Sequence, residues 1–152
     1  MANDDLGARR ERAHYHHWTT VSIRYCDQDP IGHVNNAAMA AFIEQARVAL
    51  VYPLLEKFKP SGSQLELVIA RLIIDYLKEL TFPGNVEIGS RVARIGSKSF
   101  TLQHAVFKAG DDSCVATAEC IMVFFDAARR ESTLPPDAVR EALEAFQRAQ
   151  PD

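Results

Sequence analysis

The sequence is short of cysteine and has no large excess of charge of either sign. Its 152 residues include three cysteines, an odd number, and their spacing matches no paired metal-binding motif. We therefore expect a reducing, cytoplasmic setting. The formal net charge is −3, so nothing in the overall charge attracts the chain to nucleic acid or to an anionic membrane surface. We expect no nucleic-acid partner.

Long hydrophobic runs are missing as well. The apolar runs, such as "LVIA" and "IMVFF", are far shorter than the ~20 residues that cross a bilayer, so no membrane partner is expected. The polar N-terminus, "MANDDLGARRER", lacks the apolar core of a secretory signal and mixes acids with arginines. We expect a flexible tail over residues 1–17 and a single domain over residues 18–150, which is long enough to bury a core.

The order of the predicted elements indicates an α+β protein. Residues 18–25 are rich in β-branched and aromatic side chains and predict a first strand. A helical pattern follows from about residue 36 towards residue 58, and Pro53 is expected to end or kink its main part. The apolar stripe of this helix consists of Met39, Phe42, Ile43, Ala46 and Leu50.

Four strands joined by short turns come next, and such turns predict antiparallel pairing. In the first of these strands, one face is an apolar row made of Val68, Ala70, Leu72, Ile74 and Tyr76. The other face carries Arg71 and Asp75, which would meet solvent or a second subunit. "PPDAVREALEAFQ" predicts a closing helix. A five-stranded antiparallel sheet that curves around the long central helix fits this order.

Polar residues concentrate just ahead of the long helix, in "RYCDQDPIGHVNNAAMAAF" (residues 24–42). A turn and a helix cap explain part of this stretch, because Asp-x-Asp-Pro is a common turn sequence and asparagine is a preferred N-cap. One cap needs only one side chain, however, and the stretch offers several. Asp29 and His33 are four residues apart and can meet at the helix N-terminus, where unpaired backbone N–H groups can stabilise an oxyanion.

These groups suit acyl transfer to water. Asp29 could act as a general base on a water molecule or attack a carbonyl carbon directly. The N–H groups at the helix start would polarise that carbonyl, and His33 could orient a water or stabilise charge. A thioester is a suitable substrate, because its thiolate leaves readily and needs little help from a general acid.

The stretch "RYCDQDPIGHVNNAAMAAFIEQAR" resembles the opening motif of the hot-dog-fold acyl-CoA thioesterases of the 4-hydroxybenzoyl-CoA thioesterase type. The resemblance continues through "RLIIDYLKEL", "RIGSKSFTLQHAVF" and "ATAECIMVFFDAARRESTLPPDAVREAL", and so covers most of the chain. It implies a hot-dog fold, in which an antiparallel sheet wraps around a long central helix. It also implies a homodimer, or a homotetramer built from two dimers.

The same resemblance assigns roles around the helix start. Asp29 matches the catalytic carboxylate of the family, and His33 matches a histidine that some relatives pair with this acid. Asn35 and Asn36 match the asparagine pair of the motif. One of them is expected to cap the helix, and the other to touch the thioester or a bound water.

Ile31 and Gly32 are expected to lie beside the substrate, although Ile31 stands where those relatives carry an asparagine. Glu44 could line an acyl pocket or, alternatively, form a helix ion pair with the arginine three residues on. The segment "GSKSF" could bring Ser97 and Ser99 near a CoA phosphate, and a tight turn between two strands would explain these residues equally well.

Two other polar features favour structural roles. "HYHH" (residues 14–17) has no further ligands at metal-binding spacing, so we interpret it as the approach to a strand and expect no metal. His104 alternates with apolar residues and is expected to be packed in the core.

The sequence therefore predicts an acyl-CoA thioesterase that needs no cofactor and hydrolyses a thioester to a carboxylate and free CoA. A protein that binds acyl-CoA without turnover is the alternative. An antiparallel sheet around one helix also leaves an edge strand to cover, which favours at least a homodimer.

Overall fold

The computed structural model describes residues 6–149, and these form one antiparallel sheet packed against a long helix. The elements are β1 (His17–Ser22), α1 (Asn36–Phe58), β2 (Leu65–Tyr76), β3 (Asn85–Ile95), β4 (Ser99–Lys108), β5 (Cys114–Asp126), β6 (Glu131–Ser132) and α2 (Asp137–Arg148). Short 3-10 turns lie at Arg12–His14 and Tyr25–Asp27. The predicted α+β class, with a long central helix and a C-terminal helix, is confirmed.

The sheet has the strand order β1-β3-β4-β5-β2, and every neighbouring pair is antiparallel. A sixth strand, β6, adds two residues beside the end of β5, where Phe125 pairs with Ser132. The predicted count of five strands was therefore one too low. A two-residue strand has no hydrophobic periodicity of its own, so the sequence could not reveal it.

Helix α1 buries its predicted apolar stripe against the concave face of the sheet. All five stripe residues, from Met39 to Leu50, are at most 4% exposed and belong to the main core. Burying a large apolar side chain contributes roughly 1.5–3 kcal/mol, so this stripe holds the helix in place. By length and composition alone α1 could also cross a bilayer, a property that a mostly buried core helix shares.

Helix α1 continues through Pro53 to Phe58, as the helical pattern predicted, so an end at this proline is wrong and a kink there stays a prediction. Proline cannot donate to the carbonyl four residues earlier, which belongs to Ala49. Ala49 is exposed, and water can therefore satisfy that carbonyl. Val51 and Leu55 are buried on either side of the proline and keep the helix on the sheet.

Strand β2 contains a bulge at Ala70, where the pairing with β5 shifts between Ile69 and Arg71. An extra residue reverses which side chains face the core. Before the bulge Leu67 packs against the core, and after it Ile74 does. The predicted continuous apolar row is therefore wrong, because the alternation changes phase in the middle of the strand.

Arg12 and Tyr15 lie on the face of the sheet opposite α1. The Tyr15 ring packs over Gly89, where an added Cβ would lie 2.7 Å from the Cβ of Tyr15. The Arg12 guanidinium lies over the rings of Trp18 and Phe107, 5.1 and 4.5 Å from their centroids. The division into a flexible tail over 1–17 and a domain over 18–150 stays a prediction, and residues 1–5 lie outside the described part.

Candidate active site

The loop between β1 and α1 is built on a buried carboxylate. Asp27 Oδ2 accepts the backbone N–H of Arg24 at 2.7 Å, and its Oδ1 accepts the Arg24 guanidinium at 2.8 Å. These hydrogen bonds lower the pKa of Asp27 below its ordinary value. The Asp27 carbonyl also accepts the N–H of Asn35 at 2.9 Å. Asp27 thus joins the two ends of the loop and is not free to react.

Asp29 lies at the centre of a tight turn inside this loop. Its Oδ1 accepts the backbone N–H groups of Ile31 at 2.9 Å and His33 at 3.1 Å, and its own N–H donates to the His33 carbonyl at 2.7 Å. Gly32 has a φ of 86°, a conformation that favours glycine. Within residues 6–149, Oδ2 of Asp29 has no hydrogen-bond partner, so one carboxylate oxygen is held and the other is available.

The imidazole of His33 reaches a residue that the sequence did not single out. Its Nε2 lies 2.9 Å from Oε2 of Glu79, in the connection between β2 and β3. The next residue, Val34, donates its N–H to the carbonyl of Leu80 at 2.7 Å. The loop and this connection are therefore fastened together. No sequence motif points to Glu79, because the contact joins segments that are far apart in the chain.

One asparagine of the pair caps the helix, as predicted. Asn35 Oδ1 accepts the N–H of Ala38 at 2.7 Å and is the N-cap of α1. Asn36 is the first residue of the helix, and its carbonyl accepts the hydroxyl of Tyr76 at 3.4 Å. The backbone N–H groups of Asn36 and Ala37 have no acceptor in the described chain, so they remain as donors at the positive end of the helix.

A pocket of about 330 Å³ collects these groups at the N-terminus of α1. The side chains and backbone that line it belong to Asp29, His33, Val34, Asn36, Met39, Tyr76, Leu77, Lys78, Glu79 and Leu80. The fold therefore brings together three of the four predicted catalytic residues, while Asn35 serves as the cap behind them.

A second groove, of about 420 Å³, follows α1 and β2 away from this pocket. It is lined by Ala40, Ala41, Glu44, Arg47, Ile69, Ala70, Arg71 and Leu72. Glu44 therefore lines a groove and also forms the predicted alternative, an ion pair in which Arg47 Nη2 donates to its Oε2 at 3.1 Å. Arg47 is only 7% exposed, so Glu44 is the carboxylate that balances a buried cation.

The remaining predicted contacts lie apart from the pocket lining. Ile31 projects from the loop and is 79% exposed. Ser97 lies in the turn between β3 and β4 and Ser99 is the first residue of β4, and the N–H of Gly96 donates to the Ser99 carbonyl at 2.7 Å. The Ser97 carbonyl accepts the guanidinium of Arg140 at 3.2 Å. Neither serine lines the pocket of Asp29.

His104 is fully buried under α1, as predicted for a packed histidine. Its Nδ1 lies 2.8 Å from Oγ of Ser90, and its Nε2 has no partner in residues 6–149. Burial, with a contribution from the charge of Arg47, lowers the pKa of His104 to about 3. Among the described residues, no group of three or more His, Cys, Asp or Glu side chains is placed to hold a metal ion.

Comparison with known proteins identifies the family of this chain. The model of the thioesterase-like superfamily matches residues 23–143. The chain therefore belongs to the thioesterase-like superfamily, as its opening motif predicted.

Solved structures share the hot-dog architecture. The PA5185 protein of Pseudomonas aeruginosa PAO1 has 29% sequence identity and a TM-score of 0.77, over 93% of this chain and 98% of that one. A thioesterase of Thermus thermophilus, solved in complex with coenzyme A and Zn, has 27% identity and a TM-score of 0.72, over 88% and 96% of the two chains. YsmA of Bacillus subtilis (strain 168), an uncharacterized protein, is 24% identical over 100 residues, which are 66% of this chain and 67% of YsmA.

Proposed function

We propose that this protein is an acyl-CoA thioesterase and that Asp29 carries the reaction. The observation behind this proposal is the state of its carboxylate. One oxygen is fixed by two backbone N–H groups, and the other is available in a pocket beside the N-terminus of α1. Membership of a thioesterase superfamily and the coenzyme A bound by the Thermus thermophilus relative support the substrate class.

In the proposed reaction, Asp29 removes a proton from a water molecule whose oxygen attacks the thioester carbon. The N–H groups of Asn36 and Ala37 stabilise the oxyanion that forms, because they lack acceptors and lie at the positive end of the helix dipole. The carbon–sulfur bond then breaks, CoA leaves as the thiolate and takes up a proton, and the acyl group leaves as a carboxylate. In the alternative chemistry Asp29 attacks the carbon itself and water hydrolyses the resulting anhydride.

The other predicted residues take supporting roles. His33, held by Glu79, orients the water or stabilises charge, and Asn35 fixes the helix start from which the oxyanion donors project. We place Ile31 and Gly32 beside the entering thioester, Glu44 in the acyl groove, and Ser97 and Ser99 near the CoA phosphates.

The proposal also covers the setting of the protein. We propose a cytoplasmic homodimer, or a homotetramer made of two such dimers, with acyl-CoA as its small-molecule partner. Neither nucleic acid nor a membrane takes part, and the chemistry needs no metal or organic cofactor, because a carboxylate and backbone donors suffice to hydrolyse a thioester.

A panel of acyl-CoA thioesters tests this function. Release of free CoA is followed with a thiol reagent over short, medium, long and aromatic acyl groups, and binding of the same compounds is measured by calorimetry. We expect enzyme-dependent CoA release for at least one acyl class. Tight binding with no release would instead identify a protein that binds acyl-CoA without turnover, and neither binding nor release would refute the substrate class.

A further inference from the structure

Two aromatic side chains with large exposed surfaces contact each other beside the candidate active site. Tyr25, on the loop ahead of α1, is 77% exposed, and Phe82, on the β2–β3 connection, is 37% exposed. Their ring centroids are 5.7 Å apart, at an interplanar angle of 89°. Single exposed apolar residues are ordinary, but neighbouring exposed rings next to a pocket mark a binding surface. Tyr25 and Phe82 together form what we call the aromatic rim.

The aromatic rim borders the active-site pocket, because the same two segments carry both. The N–H of Ile23 donates to the Gly84 carbonyl at 2.9 Å, and the N–H of Val34 donates to the Leu80 carbonyl at 2.7 Å. The β2–β3 connection therefore runs beside the loop from its beginning to its end. Leu80 lines the pocket, and the Cα atom of Phe82 lies at most ~7 Å further along the chain. A ligand that extends out of the pocket on this side meets the two rings.

The backbone at Tyr25 is fixed, so its ring projects into solvent from a rigid turn. The Tyr25 carbonyl accepts the backbone N–H of Gln28 at 3.4 Å and Nε2 of the same residue at 3.2 Å. On the other side, Asp27 accepts the backbone N–H and the guanidinium of Arg24. A rigid aromatic side chain that is already in place loses little conformational entropy when a ligand binds. The turn thus presents Tyr25 in a form suited to recognition.

The charges around the aromatic rim disfavour the phosphate groups of coenzyme A as its ligand. The guanidinium next to the rings, that of Arg24, is neutralised by the Asp27 carboxylate at 2.8 Å. The pocket lining adds two carboxylates, Asp29 and Glu79, against one ammonium, that of Lys78. A phosphate at this position would meet more negative than positive charge. An uncharged and partly apolar segment of the substrate fits the rim better.

We propose that the aromatic rim binds the pantetheine arm of coenzyme A. This arm is joined directly to the thioester sulfur, so it is the part of the carrier that leaves the pocket first. It is uncharged and combines amide groups with a dimethyl-substituted carbon. The rings of Tyr25 and Phe82 pack against the dimethyl carbon, and the Tyr25 hydroxyl donates to an amide carbonyl. This inference rests on the acyl-CoA substrate proposed above and assigns the residues that recognise its carrier.

Such a subsite makes the enzyme selective for the carrier of the acyl group. A thioester of N-acetylcysteamine has the same reacting group and the first amide of pantetheine, but it ends before the dimethyl carbon that reaches the rings. Loss of the Tyr25 ring should therefore raise KM for an acyl-CoA about tenfold, with kcat close to wild type. The KM for the N-acetylcysteamine thioester of the same acyl group should not change.

Calorimetry with free coenzyme A tests the subsite without any hydrolysis. We expect Tyr25→Ala to raise the Kd of CoA about tenfold, and Tyr25→Phe, which keeps the ring, to raise it less than about threefold. Tyr52→Ala is the matched control. Tyr52 is 58% exposed and lies about 24 Å along α1 from its first residue, so its removal should leave CoA binding at the wild-type level.

Two fragments of coenzyme A locate the contact. NMR titrations with pantetheine and with ADP measure the arm and the nucleotide separately. Tyr25→Ala should weaken the binding of pantetheine by the same factor as that of CoA, and it should leave the binding of ADP unchanged. The opposite pattern would show that Tyr25 stacks on the adenine ring, and it would overturn the assignment of the arm.

The remaining outcomes separate this inference from the proposed function. Equal CoA affinity of wild type and Tyr25→Ala would overturn the subsite and leave the thioesterase proposal intact. If that variant also lost subunits in analytical ultracentrifugation, its ring would contact a second subunit instead. A wild type that binds no CoA would overturn both claims. A wild type that binds CoA and pantetheine through Tyr25 but hydrolyses no acyl-CoA would overturn only the proposed chemistry.

Discussion

Lowering the pH from 7 to 5 should destabilise this protein through His104. Its side chain is fully buried, one ring nitrogen contacts Ser90, and the other has no partner among the described residues. Because burial lowers its pKa to about 3, the folded protein keeps this imidazole neutral throughout that pH range. The unfolded chain, with an ordinary histidine pKa near 6.5, takes up the proton.

The sign and size of the change in unfolding free energy follow from this difference in proton binding between the folded and the unfolded chain. The folded pKa lies below the unfolded one, so the stabilising effect of the neutral imidazole is complete above pH 6.5 and is lost as the pH falls towards 3. About a quarter of unfolded molecules carry the proton at pH 7 and nearly all carry it at pH 5, which integrates to about 2 kcal/mol of lost unfolding free energy.

Urea unfolding at fixed protein concentration, at pH 7 and pH 5, measures this effect. The comparison is with His104→Gln, which keeps a polar partner for Ser90 but cannot titrate. Between pH 7 and pH 5 the wild type should lose about 2 kcal/mol more unfolding free energy than the variant, because all other titrating groups are common to both proteins. Equal losses in the two proteins would refute the assignment of a neutral, buried His104.

Three further substitutions test local contacts of the fold and the turn around Asp29. Glu44→Gln should cost about 1–2 kcal/mol in urea unfolding, because it leaves the buried cation of Arg47 without its carboxylate. Gly89→Ala should cost about 1–3 kcal/mol and hasten tryptic cleavage of the N-terminal segment, since the new Cβ would collide with Tyr15. Gly32→Ala should lower both stability and the rate of thioester hydrolysis, because a φ of 86° strains any residue that has a Cβ and the turn around Asp29 would change shape.

Matched controls separate these effects from general damage. Glu56→Gln breaks a looser helix pair whose cation, Lys59, lies 3.8 Å away and is more exposed than Arg47, and it should lower the free energy of unfolding by less than about 0.5 kcal/mol. Gly7→Ala adds a Cβ where nothing lies within 4 Å and should be neutral. If the control variants lose as much unfolding free energy as Glu44→Gln and Gly89→Ala, then those losses do not come from the ion pair or from the Tyr15 contact.

The helix periodicity was the most informative feature of the sequence. Its apolar residues recur with helical spacing, and the same residues are buried on the sheet, because one continuous stripe must meet one continuous core. Local patterns also located the polar loop ahead of the helix and the capping role within the asparagine pair. These features depend on residues close together in the chain.

The features that the sequence could not show depend on contacts between distant segments. Pro53 lies inside the helix because burial on both sides of it outweighs one missing hydrogen bond. The bulge at Ala70 depends on the pairing with β5, which no pattern within β2 encodes. Glu79 reaches His33 only after the β2–β3 connection has folded against the loop.

The most direct test of the central claim is a single substitution at Asp29. Asp29→Asn keeps the shape of the side chain and an oxygen for the Ile31 and His33 N–H groups, but it removes the group that accepts a proton. With the best acyl-CoA of the panel, kcat should fall by roughly 10²- to 10⁴-fold while the thermal midpoint and acyl-CoA binding stay close to wild type. An Asp29→Asn protein that hydrolyses the thioester at the wild-type rate would show that Asp29 does not carry the reaction.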